Sequence, residues 1–396
     1  MELARAGTPP AQVCREAGCS RSWLFKWLKR AEAGGECWAA SLSRAPKSVP
    51  SRLPAEAEEA VARARTALEA KPYRQVGPQA VAYEMAASGD DPPPPWTIAR
   101  VLRRRGLARP QRKAPYRPKG TAYPEGYCSC HQADLVGPRH LAARGRFYFF
   151  NIVDCETHWA GSAILRDRRA DGVCAALAAF WREFGRPDSR QMDNDLAFWG
   201  SLKDPRVVGK VIRLCIENEV APVFIPLKEP WRNGVVEHFN RKAQWILDER
   251  HEDFASLAKA KDAFLRVHNH AHRYSAQGNL TPAEAAAEGG FRLKGCKMPD
   301  MKAHLENGVI HVVRLIRSDG AFRLHGMKWR MPEEAVHEYV TATIVVRCRE
   351  IRFDLGGRHL FTDEFLVRQE STMSCEKKHA RHRERPMGAF QSTMLC

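Results

Sequence analysis

The sequence predicts a multidomain chain in which N-terminal all-α helix-turn-helix units precede a central α/β core and a small C-terminal β-barrel. Three observations lead there. Helical periodicity dominates to about residue 107, strand-like runs alternate with helices from about 125 to 290, and from 308 to 368 the chain reads as strands alone. A length of 396 residues leaves room for several domains. Their predicted bounds follow the changes of texture: a helix-turn-helix over 1–50, a second helical region with a basic linker over 51–120, the α/β core over 121–290, the barrel over 300–368 and a disordered basic tail over 369–396.

The first unit rests on "TPPAQVCREAGCSRSWLFKWLKR" at 8–30, which reads as two short helices about a tight turn. Val13 and Ala17 give the first helix an inward face, Gly18 breaks it, and Ser20 caps the second. Leu24, Trp27 and Leu28 recur at i, i+3 and i+4, which leaves Arg21, Ser22, Lys26 and Lys29 outward, in position to meet a DNA major groove. In the second region "TIARVLRRRGLARP" turns Ile98, Val101 and Leu102 inward, with Thr97 as cap and Arg103 and Arg104 as further DNA-contacting candidates. From Arg100 to Lys119 no acid interrupts the arginines and lysines, so the Pro-bearing end of that run is predicted as an extended linker that tracks phosphates.

Composition narrows the function classes. Lys and Arg number 63 against 46 Asp and Glu, a formal charge of +17, and a polyanion such as nucleic acid is the simplest partner for it. The apolar run "FYFFNIV" at 147–153 is the length of a strand and far short of a membrane span. "MELARAG" carries an acid at position 2 and no apolar signal region, so a cytoplasmic, nucleoid-associated protein is expected. The twelve cysteines are scattered. Cys128, Cys130 and His131 come nearest to a zinc pattern, but no second ligand pair follows, and reduced thiols are expected.

In the core, "YCSCHQADLVG", "GRFYFFNIVD" and "HWAGSAILRD" predict an antiparallel meander. A helix "DGVCAALAAFWREFG", a short lead to Asp193, a helix "PRVVGKVIRLCIENE", a strand "APVFIP" and a helix from near Asn233 follow. The last third, "GVIHVVRLI", "AFRLHGMKWRM", "EYVTATIVVR" and "REIRFDLGGRHL", supplies the strands of the barrel.

Three acids draw attention because a charge embedded among apolar strand residues must be offset by something. Asp134 lies inside "HQADLVG", at the end of the first strand, where a turn-bonding aspartate is the plain alternative. Asp193 follows "SRQM", at the carboxyl edge where open α/β sheets place their sites, and Asp195 reads as a loop acid. Glu237 is freed by the stripe Val236, Phe239, Ala243, Ile246, with Arg241 and Gln244 on its own face; a structural Glu–Arg helix pair is the alternative.

"HQADLVG", "MDNDLAFWG" and "VFIPLKEPWRNGVVEHFNRKAQ" resemble the DDE catalytic core of bacterial insertion-sequence transposases and retroviral integrases, over about 125–290. The resemblance implies a ribonuclease H-like core and a DNA transposase that cleaves and transfers strands during transposition of an insertion sequence. It makes Asp134, Asp193 and Glu237 both the catalytic residues and the ligands of two Mg²⁺ (or Mn²⁺) ions. It gives Arg241 and Lys242 the donor or target phosphates, and double-stranded DNA and further copies of the chain as partners, with no membrane and no small-molecule ligand. Asp154 matches a structural acid of the family. Two features depart from the pattern: Asp195 stands where members carry glycine, and the interval from Asp193 to Glu237 is longer than usual. A retired transposase kept for DNA binding, a transcription regulator built on the N-terminal helices, and a ribonuclease H-like nuclease acting on hybrids are the alternative readings.

Overall fold

The computed structural model describes residues 2–34, 38–40, 53–108, 127–141, 145–200, 206–289, 293–324 and 326–368. The linker expected over 109–119 and the tail expected over 369–396 lie outside the described residues. The chain divides into two compact units, 1–58 and 59–396.

The first unit holds α1 (Glu2–Arg5), α2 (Pro10–Ala17) and α3 (Arg21–Glu32). Gly18 ends α2 in the left-handed conformation, at φ 60°, and the Ser20 side chain accepts a hydrogen bond from Trp23 N, as the local pattern predicts. Val13 and Leu24 form the buried contact between these helices, while Arg21, Ser22, Lys26 and Lys29 are exposed.

The second unit begins with α4 (Ala55–Ala70), α5 (Pro78–Ala87) and α6 (Pro95–Arg104). Ile98, Val101 and Leu102 are buried as predicted, and Arg103 and Arg104 are exposed. The helix starts earlier than expected, because Pro95 is pre-set for a first helical position and Pro94 occupies the N-cap, so Thr97 lies inside α6 and does not cap it.

A large mixed sheet dominates the rest. Its strands are β1 (Cys130–Leu141), β2 (Gly145–Asp154), β3 (Ala160–Leu165), β4 (Ser189–Met192), β5 (Ala221–Phe224), β6 (Val309–Leu315), β9 (Tyr339–Val345), β10 (Glu350–Leu355) and β11 (Arg358–Glu364); β7 (Ala321–Leu324) and β8 (Met327–Arg330) pair as a separate hairpin. The order is β11-β10-β9-β6-β5-β4-β1-β2-β3. The predicted meander β1-β2-β3 is antiparallel, and β4 and β5 continue the sheet parallel to β1.

Helices cover both faces of this first half. On one side lie α7 (Ala170–Glu183), α8 (Leu196–Trp199) and α9 (Lys210–Glu217); on the other lie α10 (Gly234–Asp248) and α11 (Phe254–Ala271), with α12 (Pro282–Glu288) against α11. In β2, Phe150 and Ile152 face the first set while Phe147, Phe149 and Val153 face the second, which is why "FYFFNIV" is apolar at nearly every position.

Two expectations change here. The separate barrel over 300–368 is replaced by strands joined to the core: β6 runs parallel to β5 through Val223↔His311 and Phe224↔Val312, and the described strands close no cylinder of their own. Alternation fixes which residues of a strand face inward, but it carries no information about which distant edge the strand joins. Asp134 also lies within β1 and not at its end, because the strand passes through a register shift between Val136 and Arg139 and resumes to Leu141.

Candidate active site

The carboxyl edge of the parallel strands gathers the first two acids. β1 and β4 pair with Gln132 opposite Gln191, and each acid follows two residues on, Asp134 still within β1 and Asp193 just past the end of β4. The third acid comes from the other side, on α10, which packs over β1 and β2 with Val236, Phe239, Ala243 and Ile246 buried as the stripe predicts. Glu237 therefore faces the sheet edge half-buried.

What aims α10 at that edge is a polar grip at its start. Gln132 Oε1 accepts from Val235 N and Val236 N at 3.0 and 3.1 Å, two of the amides a helix N-terminus leaves unpaired. Its neighbour Gln191 donates through Nε2 to Arg232 O at 2.7 Å and Asn233 Oδ1 at 3.0 Å. Two glutamines from adjacent strands thus fix the helix that carries Glu237. Both were missed in the sequence, although they sit two residues before Asp134 and Asp193 and so share a strand face with them.

Asp134 is held by a chain of hydrogen bonds across three strands. Asn240, on α10, donates to Asp134 Oδ2 at 2.7 Å; Asn151, on β2, donates to Asn240 Oδ1 at 2.8 Å; and the Ser162 hydroxyl, on β3, donates to Asn151. The other carboxylate oxygen of Asp134 accepts from Leu135 N at 2.8 Å. Burial, followed by repulsion from Asp193 and a smaller repulsion from Glu237, raises its pKa against these donors. Burial also raises Asp193, with Arg168 and Arg190 pulling the other way. Asp193 and, more weakly, Glu237 thus lie within electrostatic reach of Asp134.

Asp195 does more than fill a loop. Its side chain caps α8 by accepting from Ala197 N at 2.8 Å and pairs with Arg168. Asp195 N in turn donates to Asp193 Oδ1 at 3.0 Å, a backbone contact that ties the second acid to the start of α8. Asp154, at the far end of β2, is buried and accepts from Thr157 N at 2.9 Å, a turn-anchoring role.

The two basic candidates on α10 part company. Arg241 is exposed, within 3.2 Å of His238 Nδ1. Lys242 turns inward and donates to Tyr274 Oη at 2.8 Å, with its ammonium 4.4 Å from that ring's centre. Burial depresses its pKa to about 8.

Among the described residues, no three His, Cys, Asp or Glu side chains stand close enough to hold a metal ion together. Asp134 and Asp193 offer the hard carboxylate oxygens that Mg²⁺ takes, and their raised pKa values are what a bound cation would relieve. The donor chemistry of the pair suits a divalent ion, and Glu237 is their neighbour on α10.

No protein-family model and no curated protein matches this chain. Among solved structures it is similar to the HTLV-2 integrase catalytic core domain in complex with magnesium, at 14% identity and a TM-score of 0.31, over 40% of this chain and 95% of that one. It is similar to the BIV integrase catalytic core domain at 18% identity and a TM-score of 0.30, over 40% and 94%. A simian T-cell lymphotropic virus intasome in complex with PP2A regulatory subunit B56 gamma matches at 12% identity and a TM-score of 0.35, over 74% and 93%. Likenesses this loose leave the assignment to the site's own geometry. No described helix is long and apolar enough to cross a membrane.

Proposed function

We propose that this chain is a DDE-type polynucleotidyl transferase with a ribonuclease H-like core, which cleaves and joins DNA strands in the transposition of an insertion sequence. The observation that carries this reading is that Asp134 on β1 and Asp193 just after β4, each two residues beyond the paired Gln132 and Gln191, lie within electrostatic reach of each other, with Glu237 on a helix whose start both glutamines grip. A divalent cation bound there would activate the attacking oxygen and offset charge on the leaving one.

The chain's own residues do the positioning. Asn240 orients the Asp134 carboxylate, Asp195 N holds that of Asp193, and the exposed Arg241 lies four residues along α10 from Glu237, suited to a phosphate flanking the reacting one. The exposed Arg21, Lys26 and Lys29 of α3 suit a major groove, and Arg103 and Arg104 of α6 suit the backbone beside it. Two DNA ends must be brought together for joining, so a homo-oligomer is part of the proposal.

The test uses the full chain with DNA carrying the inverted repeats that flank its gene. Nicking and joining in Mn²⁺ or Mg²⁺, lost in both Asp134→Asn and Asp193→Asn, supports the reading; nicking that survives in both variants overturns it.

A further inference from the structure

The strands expected to stand apart as a barrel reach both of the loops on which the acids depend. Arg314, in β6, is 9% exposed. Its Nη2 donates to Asn194 Oδ1 at 2.7 Å, and its Nη1 to the Ile225 and Val313 carbonyls at 3.2 and 2.8 Å. Asn194 is the residue between Asp193 and Asp195, and its own amide donates to the Ile225 carbonyl at 2.7 Å. One guanidinium thus ties β6 to the segment after β4 and the segment after β5. A lysine has the charge but not the fork that reaches these acceptors at once.

A second contact reaches the other loop. Tyr339, in β9, donates through Oη to Glu229 Oε1 at 2.8 Å, and the remaining oxygen of Glu229 accepts from Arg232 Nε at 2.5 Å. The Arg232 guanidinium lies 4.6 Å from the centre of the Tyr339 ring, which closes a ring of three side chains. Glu229 is 8% exposed, so this ring is built into the protein and is not a surface pairing. It sits on the single turn of 3₁₀ helix, Pro230–Asn233, whose last residues Gln191 grips and from which α10 springs.

We propose that β6 and β9 belong to the catalytic unit, with Arg314 and Tyr339 as positioning residues: Arg314 sets the loop carrying Asp193, and Tyr339 sets the turn that launches the helix carrying Glu237. The inference rests on reading those acids as the reactive centre, but its structural half can be measured without any reaction.

Hydrogen exchange on the full chain separates the two. In Arg314→Lys and Arg314→Met the amides of Asp195 and Ile225 are expected to exchange about tenfold faster while those of β10 and β11 keep their protection. In Tyr339→Phe the Arg232 amide is expected to behave likewise. In Mn²⁺-dependent nicking, the maximal rate should fall about tenfold with KM for DNA nearly unchanged, the split that marks positioning and not binding. Should Arg314→Met fail to fold, Asn194→Ala removes one of the acceptors without touching β6, and combined with Arg314→Lys it should cost clearly less than the two single losses added together. Additive losses, unchanged loop exchange in a folded Arg314 variant, or a uniform rise in exchange across β10 and β11 each overturn the proposal. If wild-type chain leaves DNA intact yet the loop amides respond as expected, the function reading fails and the brace stands.

Discussion

On one face of the sheet, α7, α8 and α9 pack Trp181, Phe198 and Phe224 into an apolar core that continues under β6 and β9. On the other face, α10 and α11 meet the strands through a smaller apolar cluster flanked by His158, His238, His268, His272, Tyr274 and Lys242. His158 lies 4.3 Å from Tyr274, and His268 lies 5.2 Å from His272, between ring centres. Burial drives these bases toward neutrality: Lys242 to about 8, His238 to about 4, His272 to about 3, and His268 well down. The loop of Asp193 is therefore backed by a close-packed wall, whereas the helix of Glu237 rides on groups whose charge changes with pH. Of the three acids, the third has the more adjustable support.

The largest expected effect separates chemistry from packing. Asp134→Asn and Asp193→Asn should each lower nicking by roughly a thousandfold or more, with the urea midpoint unchanged or raised, since each removes a charge that burial disfavours. A lowered midpoint would show these acids to be structural.

Next in size is the contrast between the faces. Phe198→Ala should cost about 3–5 kcal/mol in urea unfolding, and the exposed Arg241, on the other face, about 0.5 kcal/mol or less when changed to Ala. Equal costs would erase the distinction drawn here.

The polar face also predicts pH dependence. A base whose folded pKa is depressed leaves the unfolded chain holding more protons, so stability rises with pH between the folded and unfolded values. His238, facing Lys242, Arg241 and His158, and His272, facing Lys242, Arg74 and His238, should make stability fall as pH drops from about 6.5 toward 4. The fall should be shallower in His272→Phe. Lys242 should add a rise between pH about 8 and 10, absent in Lys242→Met. A flat profile in the wild type would mean the seam is wet and ordinary.

The smallest effect concerns Asp195. Glycine keeps much of the N-cap preference, so Asp195→Gly should cost only a few tenths of a kcal/mol, read as faster exchange at the Ala197 amide alone.

Much of this was legible in the residues. The meander, the β4–β5 alternation and the inward stripe of α10 follow from periodicity, and Asp193 was placed by the strand before it. The supports were not legible. Gln132, Gln191, Asn240 and Arg314 are polar positions in alternating or helical patterns, where a polar residue normally marks the solvent side. Only the arrival of another element covers them. Lys242 was misplaced for the same reason: it borders the buried stripe, and the Tyr274 segment that closes over it is far along the chain. The joining of β6 to β5 rests on two residue pairs separated by almost ninety positions, which no local window contains.

Gly200 and Gly209 bring the end of α8 and the start of α9 into backbone contact. A Cβ on Gly200, where φ is +101°, would lie 2.6 Å from Gly209 Cα, and Gly209 N donates to Trp199 O at 3.1 Å. Neither position has room for a side chain, so Gly200→Ala and Gly209→Ala should each push the two helices apart and loosen the packing of Phe198 and Val211 beneath them.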